Sequence, residues 1–352
     1  MFDRVKSLYA PETYQLSRRE ALAALLALPP ALLAAVQEPL PPAKVLEEFL
    51  PQCAAANIAC WHLMRGKDFL SIEQALPQYL RPLEQIAQHP SPYQQTAAYL
   101  TSQGYFLLGH IALHRLRLEQ RVAGYKHAVE YGKLARDRVS SVSALASLGD
   151  AFHQKGQLTE MLQTYQEAAH HLDHEIPAVL RSKVLGGLAH AYAQRGQTQE
   201  VLRYLGEARV IFSGESEEVP IFLKMDYGIV QAIQYEGETF LELGRLYEHT
   251  KDLTQANTYY EQAEEALAQS EKLPATTVIP ERIRVEIANQ RAATALALRD
   301  MEQFEKYFLL GANGAKALNS AKRKQEALAN WKAARKVWPQ EGRIADLAEA
   351  LM

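Results

Sequence analysis

The chain has 352 residues, 48% of them hydrophobic, and its 38 Lys and Arg against 41 Asp and Glu leave a formal net charge of −3. The hydrophobic share excludes a wholly disordered chain, and the balanced charge lacks the basic excess expected of a nucleic-acid-binding protein. The length is enough for one large domain or two ordinary ones. We therefore expect a folded protein that does not bind nucleic acid directly.

Residues 1–40 contain an apolar stretch that allows two interpretations. In SRREALAALLALPPALLAAV (Ser17–Val36), Arg18 and Arg19 precede an apolar run of 16 residues, shorter than the roughly 20 residues that cross a bilayer. The two arginines are placed as in a twin-arginine export signal. Because β-branched Val36 interrupts the small-x-small pattern of a cleavage site, we favour an apolar arm packed on the body of a cytoplasmic protein.

The two cysteines, Cys53 and Cys60, are seven positions apart. On a helix this spacing places them on one face, where both are expected to be small core residues. No disulfide framework is indicated, which suits a reducing compartment.

Beyond residue 40 the apolar periodicity is helical, and a pattern of small and aromatic residues repeats every 40 positions. Leu145, Leu148, Gly149, Phe152, Gly156, Tyr165 and Ala168 recur as Leu185, Leu188, Ala189, Tyr192, Gly196, Leu205 and Ala208. Tyr105, Leu108, Gly109, Tyr125 and Ala128 precede them in the same frame, and Phe240, Leu243, Gly244, Tyr247, Ala256, Tyr260 and Ala263 follow after an insertion. Small residues at fixed places predict close helix–helix contacts, since two helices approach only where a side chain is absent or is a methyl group.

This pattern resembles the tetratricopeptide repeat, a helix–turn–helix unit of about 34 residues, over roughly residues 93–339. The resemblance implies an all-α, right-handed superhelical solenoid over residues 93–352, with degenerate or capping helical repeats over residues 41–92. Departures are the longer unit and the replacement of an early second-helix alanine by Arg121, Met161 and Val201. Residues 213–220 and 270–280 interrupt the rhythm and are predicted as surface loops.

A second resemblance concerns the segments RVKSLY, SRREAL, FLPQCAA, ACWHL and PERIRVEIANQRAATALALRD. They are similar to the helical portion of bacterial regulators that join a helix-turn-helix DNA-binding domain to tetratricopeptide repeats. The resemblance implies a regulatory, ligand-sensing role. It also implies that residues 1–20 correspond to the junction after a DNA-binding domain, which this sequence does not include.

In stacked helical hairpins the first helices line a concave groove, and polar residues opposite their core positions are candidates for binding a ligand there. The candidates are Gln103, His110, His114, Asp150, His153, Gln154, Lys183, His190, Gln194, Arg245, His249, Gln290 and Arg291. Such Gln, His, Arg and Lys groups suit a peptide backbone or a carboxylate. An ordinary solvated helix face is the alternative. If the histidines take part, affinity should change between about pH 5 and 8.

Catalytic motifs are not evident, so we predict neither an enzyme nor a bound cofactor or metal. His170–Glu175 (HHLDHE) gathers three imidazoles and two carboxylates but sits at the end of a helix, where polar residues are expected. His110 and His114, four apart, form half of a zinc site with no third ligand in view. The basic run Ala321–Gln325 (AKRKQ) is predicted as a solvated helix face.

The leading hypothesis is therefore a peptide- or protein-binding module, with a homodimer as one arrangement. The paired Lys and Asn pattern of chaperone-binding repeats is absent, so a chaperone tail is not favoured. The alternative is a passive scaffold that holds partners on its outer face without a ligand in the groove.

Overall fold

The computed structural model describes residues 1–9, 16–26, 30–36, 41–64, 68–211, 219–277 and 279–351. Every regular element in these ranges is helical. In chain order the helices are α1 (Phe2–Ser7), α2 (Arg18–Leu26), α3 (Pro30–Ala35), α4 (Ala43–Leu63), α5 (Phe69–Gln88), α6 (Gln94–His114), α7 (Leu118–Leu134), α8 (Arg138–Gln154), α9 (Leu158–His170), α10 (Ala178–Ala193), α11 (Thr198–Ile211), α12 (Ile221–Asp226), α13 (Ile229–His249), α14 (Leu253–Ala268), α15 (Glu281–Ala297), α16 (Met301–Ala317), α17 (Ala321–Val337) and α18 (Gly342–Asp346). None of the described helices combines the length and hydropathy that a bilayer-crossing segment needs.

The chain divides into two compact units. The first consists of Met1–Leu113, Arg117–Arg181 and Glu215–Tyr227, and the second of His114–Leu116, Ser182–Gly214 and Gly228–Met352. Successive helices form antiparallel hairpins within each unit, which confirms the predicted all-α solenoid class. The sequence-based division at residues 40 and 92 stays a prediction about repeat boundaries.

Hairpins close at the small residues of their first helices. A Cβ atom added to Gly149 of α8 would lie 2.5 Å from Cε2 of Tyr165 in α9. Gly109 and Tyr125 make the same contact between α6 and α7, where an added Cβ would lie 2.6 Å from the ring. Gly244 and Tyr260 repeat it between α13 and α14. Each aromatic ring follows its glycine by 16 positions, so the packing repeats with the sequence.

Turns between helices use left-handed backbone at equal intervals. Leu116, Gly156 and Gly196 have φ angles of 56°, 71° and 70° and lie 40 residues apart. Gly adopts this region without a steric cost, whereas other L-residues pay about 1–2 kcal/mol. The further non-glycine residues with positive φ are Arg136, Lys251, Arg299 and Asn319. The repeat therefore fixes the turn geometry even where glycine is absent.

The amino-terminal arm packs in the first unit. α2 lies along α4, with Ala21 and Leu25 buried. Before it, the rings of Phe2 and Tyr9 meet Tyr99 edge-on, with centroids 5.7 and 5.4 Å apart. The described part of the arm is thus core material, and the export alternative stays a prediction.

The carboxyl-terminal helices close the second unit. Ala327 and Ala334 of α17 are fully buried, and the indole Nε1 of Trp331 donates to the carbonyl oxygen of Ile344 at 2.9 Å. α18 is thereby held against α17.

Candidate functional site

Eight of the candidate groove residues occupy two recurring positions of successive first helices, and we call these the ladder positions. His110, Asp150, His190 and Arg245 each follow the small residue of their first helix, and His114, Gln154, Gln194 and His249 lie four positions further. One helical residue turns about 100° around the axis. The side chain after each small residue is therefore placed beside the contact that closes the hairpin, where it can still reach the aromatic ring of the second helix, as Asp150 reaches Tyr165.

In the first unit, two candidates are buried by polar and aromatic partners. Gln103 is 1% exposed and donates through Nε2 to the hydroxyl of Ser140 at 3.3 Å. His110 is 7% exposed, and its Nε2 lies 3.1 Å from a carboxylate oxygen of Asp226.

The remaining candidates of the first unit lie on α8 and are half-buried. Asp150 accepts a hydrogen bond from the Tyr165 hydroxyl at 2.5 Å, so the ring that closes the hairpin also holds a ladder carboxylate. His153 and Gln154 follow on the same helix. The amide oxygen of Gln154 receives no hydrogen bond from the part of the chain that the structure describes.

In the second unit, His114, Lys183 and His190 are 2–3% exposed. His114 Nδ1 lies 2.9 Å from the Ser320 hydroxyl. His190 Nε2 lies 3.3 Å from the amide nitrogen of half-buried Gln194. Histidine in such surroundings is bonded into the fold and not freely solvated.

The last four candidates differ sharply in exposure. Arg245 and His249 are exposed on α13, with Arg245 paired to Glu242. Gln290 is half-buried, and Arg291 is 5% exposed. Arg291 is paired with Glu264 at 2.5 Å and Glu271 at 2.6 Å and lies 3.9 Å from the centroid of the Tyr307 ring.

The structure therefore separates residues that the sequence pattern treats alike. The buried ones are Gln103, His110, His114, Lys183, His190 and Arg291. Those with accessible surface are Asp150, His153, Gln154, Gln194, Arg245, His249 and Gln290. A groove role for any of them stays a prediction, and the second group is the one a ligand can reach without rearrangement.

Two other candidate clusters have structural partners. Arg138 donates to Asp173 at 2.5 Å and to Glu175 at 3.0 Å, so the carboxylates of the His170–Glu175 segment are already in ion pairs. His110 and His114 also meet different partners, Asp226 and Ser320. These contacts do not support the interpretation of the two histidines as half of a zinc site.

The prediction of a solvated face for Ala321–Gln325 was wrong at one position. Arg323 is 2% exposed and pairs with Glu286 at 2.5 Å and with Glu326 at 2.7 Å. The carboxylates of Glu286 on α15 and Glu326 on α17 hold the guanidinium in the core, whereas Lys324 and Gln325 are exposed as predicted.

Sequence reasoning missed the segment of residues 219–227, which we call the strap. Its helix α12 carries Ile221, Phe222 and Leu223, which are 0–1% exposed. The signal was available, because Phe240 follows Leu185 by 55 positions instead of 40. The predicted surface loop covers residues 213–218, which lie outside the described ranges, together with buried Val219 and half-buried Pro220.

The small residue, the aromatic ring and the left-handed turn recur at equal spacing in successive hairpins. In this respect the helical repeats are similar to tetratricopeptide repeats. No family model matches this repeat protein, and no curated protein sequence matches it.

Solved structures with a similar course of the chain include BtubC (BKLC) from P. vanneervenii, at 14% identity and a TM-score of 0.44, covering 72% of this chain and 92% of that one. A putative kinesin light chain from Podosopora anserina with nearly identical TPR-like repeats gives 16% identity and a TM-score of 0.36, covering 65% and 97%. Both TM-scores are below 0.5, and the similarity to tetratricopeptide repeats rests on the hairpin contacts.

Proposed function

We propose that this tetratricopeptide-like protein is a regulatory binding module whose first-helix faces hold a peptide or a protein segment. One observation carries the proposal: the strap lies on α4 and α6 of the first unit as a segment held by buried apolar side chains and by the contact between Asp226 and His110. Short helical partners dock on helical proteins through the same combination of contacts. The regulatory part rests on the resemblance to bacterial regulators.

The experiment is quantitative affinity purification from the source cells with the wild type and a double variant, His153→Ala/Gln154→Ala. Both residues are half-buried on α8. We expect the variant to lose the partner that the wild type retains. Gln163→Ala is the matched control, because Gln163 is exposed on the second helix α9. Unchanged capture by the double variant would contradict a ligand at this part of the ladder.

An outer-face scaffold is the second candidate, and a specific observation favours it. Large apolar side chains are exposed on second helices of the second unit, namely Leu202, Val210, Leu253, Leu309 and Leu310. Exposed apolar groups are common one at a time, but Leu309 and Leu310 are adjacent. Loss of the partner with Leu309→Ser/Leu310→Ser, combined with its retention by the α8 variant, would decide for the scaffold.

A further inference from the structure

The strap is an insertion that leaves one unit and joins the other. The chain before it (Ser182–Gly214) and after it (Gly228–Met352) belongs to the second unit, whereas Glu215–Tyr227 belongs to the first. The spacing of 55 against 40 positions accounts for about 15 inserted residues. The insertion is therefore not needed to continue the helical repeat.

Apolar contacts hold the first half of the strap. The Phe222 ring has its centroid 6.5 Å from Trp61 of α4 and 6.4 Å from Phe106 of α6. Ile221 and Leu223 on either side are fully buried, and the Ile221 amide donates to the Tyr9 carbonyl at 3.1 Å. Removing large apolar side chains from water is favourable roughly in proportion to the area buried. These three residues dominate the attachment.

A contact between a histidine and a carboxylate holds the other end. Asp226 is 6% exposed, with Oδ1 3.1 Å from His110 Nε2. The His110 ring is itself set edge-on to Trp61 at 5.6 Å and to Tyr125 at 5.8 Å. A carboxylate is thus fixed at a defined distance along the strap from the apolar side chains.

The site also has donor capacity that the strap does not use. Arg121 is 3% exposed, and its Nε and Nη1 have no hydrogen-bond partner in the described part of the chain. The guanidinium lies 5.5 Å from the Tyr125 centroid. Burial raises the pKa of the Tyr125 hydroxyl, Arg121 opposes that rise, and Asp226 adds to it, which places both charges around this one ring. A buried guanidinium without a full set of acceptors is costly and favours a second carboxylate oxygen.

We infer that the α4–α6 face of the first unit binds a partner segment with two or three large apolar residues followed by a carboxylate, and that the strap is its resident occupant. The inference rests on the proposed function and names its partner chemistry. An incoming segment replaces Phe222 on Trp61 and Phe106, and its carboxylate takes the donors of His110 and Arg121. The strap is released when the partner binds.

The test uses a fluorescein-labelled peptide of residues 219–227, VPIFLKMDY, added to the full chain. In Phe222→Ser/Asp226→Asn the built-in strap is weakened, and we expect the peptide to bind at least tenfold more tightly than to the wild type by fluorescence anisotropy. Lys224→Ala is the matched control within the strap, because Lys224 is exposed, and it should retain wild-type affinity. A peptide with Asn in place of its Asp should bind more weakly, as should the original peptide to the weakened chain that also carries His110→Ala.

Equal affinity of the wild type, the weakened chain and the Lys224→Ala control would overturn the inference. So would the absence of peptide binding to a weakened chain that melts cooperatively with a wild-type circular dichroism spectrum. If that double variant does not fold, Asp226→Asn alone replaces it, with an expected increase of about threefold or more. Because no cellular partner is used, peptide binding can succeed while the purification experiment fails, and the two proposals are distinguishable.

Discussion

Gly149 lies directly beneath the ring of Tyr165, so closely that even a methyl group at position 149 would come within 2.5 Å of Cε2. Tyr165 is fully buried, and its hydroxyl is bound to Asp150. The Tyr165 ring is therefore fixed both by its packing on Gly149 and by the hydrogen bond from its hydroxyl to Asp150. A side chain at Gly149 can be accommodated only if the two helices move apart.

Gly149→Ala should destabilise the protein by about 1–3 kcal/mol, the usual cost of overpacking a close contact. Chemical denaturation monitored by circular dichroism measures the change. Gly206→Ala is the matched control on α11, because no atom of the described residues lies within 4 Å of a Cβ added there. That control should stabilise by about 0.5–1 kcal/mol, since Gly lowers helix stability relative to Ala. The same sign for both variants would contradict the close approach.

Lys251→Gly should stabilise the second unit by about 0.5–1 kcal/mol. Lys251 is exposed and has a φ of 65°. This left-handed conformation strains a residue that has a Cβ atom, and the strain exceeds the extra chain entropy that glycine loses on folding. Thermal and urea denaturation measure the gain. Gly156 has a φ of 71°, and no described residue lies within 4 Å of a Cβ added there, so Gly156→Ala should lower the stability through backbone strain alone. A stable Gly156→Ala protein would show that the turns do not require left-handed backbone.

Arg323→Met should destabilise by about 3 kcal/mol, the lower end for breaking a buried ion pair, because it leaves Glu286 and Glu326 without their shared cation. Both carboxylates retain some exposure, which limits the loss. Urea denaturation at pH 7 gives the value. Lys324→Met, one position away and exposed, should be nearly neutral. Equal effects of the two substitutions would refute a special role for Arg323.

Stability should fall as the pH drops through the acidic range. Burial alone would raise the pKa of the Glu326 carboxyl, but Arg323 and Lys322 outweigh it and hold that pKa below its ordinary value. The pKa of Glu271 is also lowered, because Arg291 outweighs burial there. A folded-state pKa below the unfolded value gives stability that is complete above the unfolded pKa of about 4.3 and is lost as the pH falls through the folded value. Unfolding curves at pH 7, 5 and 3 test this, and Glu326→Gln should flatten the profile. An unchanged profile would mean that the Arg323 pair does not contribute.

Cys53 and Cys60 should resist thiol reagents in the folded protein. Both are fully buried, as the sequence predicted, and burial raises the pKa of Cys53 well above its ordinary value and that of Cys60 to about 12. Since the thiolate is the reactive form, almost none is present at pH 8. A colorimetric thiol assay should find no fast-reacting group in the native protein and two in guanidinium. Rapid native labelling would show that α4 opens readily.

The sequence alone was sufficient to predict the structure at positions where only one physical cause explains the residue type. Glycine at positions 109, 149 and 244 with tyrosine 16 residues later indicates helix contact, because nothing larger than hydrogen fits under the ring. The helices, the small-residue contacts and the buried cysteines were all foreseen on such grounds. The candidate groove was foreseen less well. His110 and Arg245 occupy the same place in the repeat, yet one is buried beside Asp226 and the other is exposed beside Glu242.

By itself, the sequence determined the all-α repeat, since periodic apolar and small residues constrain neighbours that are close in the chain. Only the tertiary structure decided the surroundings of Arg121 and Arg323 and the place of the strap. Burial of a charged side chain depends on which distant segment covers it. On the α4–α6 face, the covering segment is the strap, through Phe222 and Asp226. No local pattern encodes that distance along the chain, because the same helical residue can be solvated or enclosed according to what folds over it.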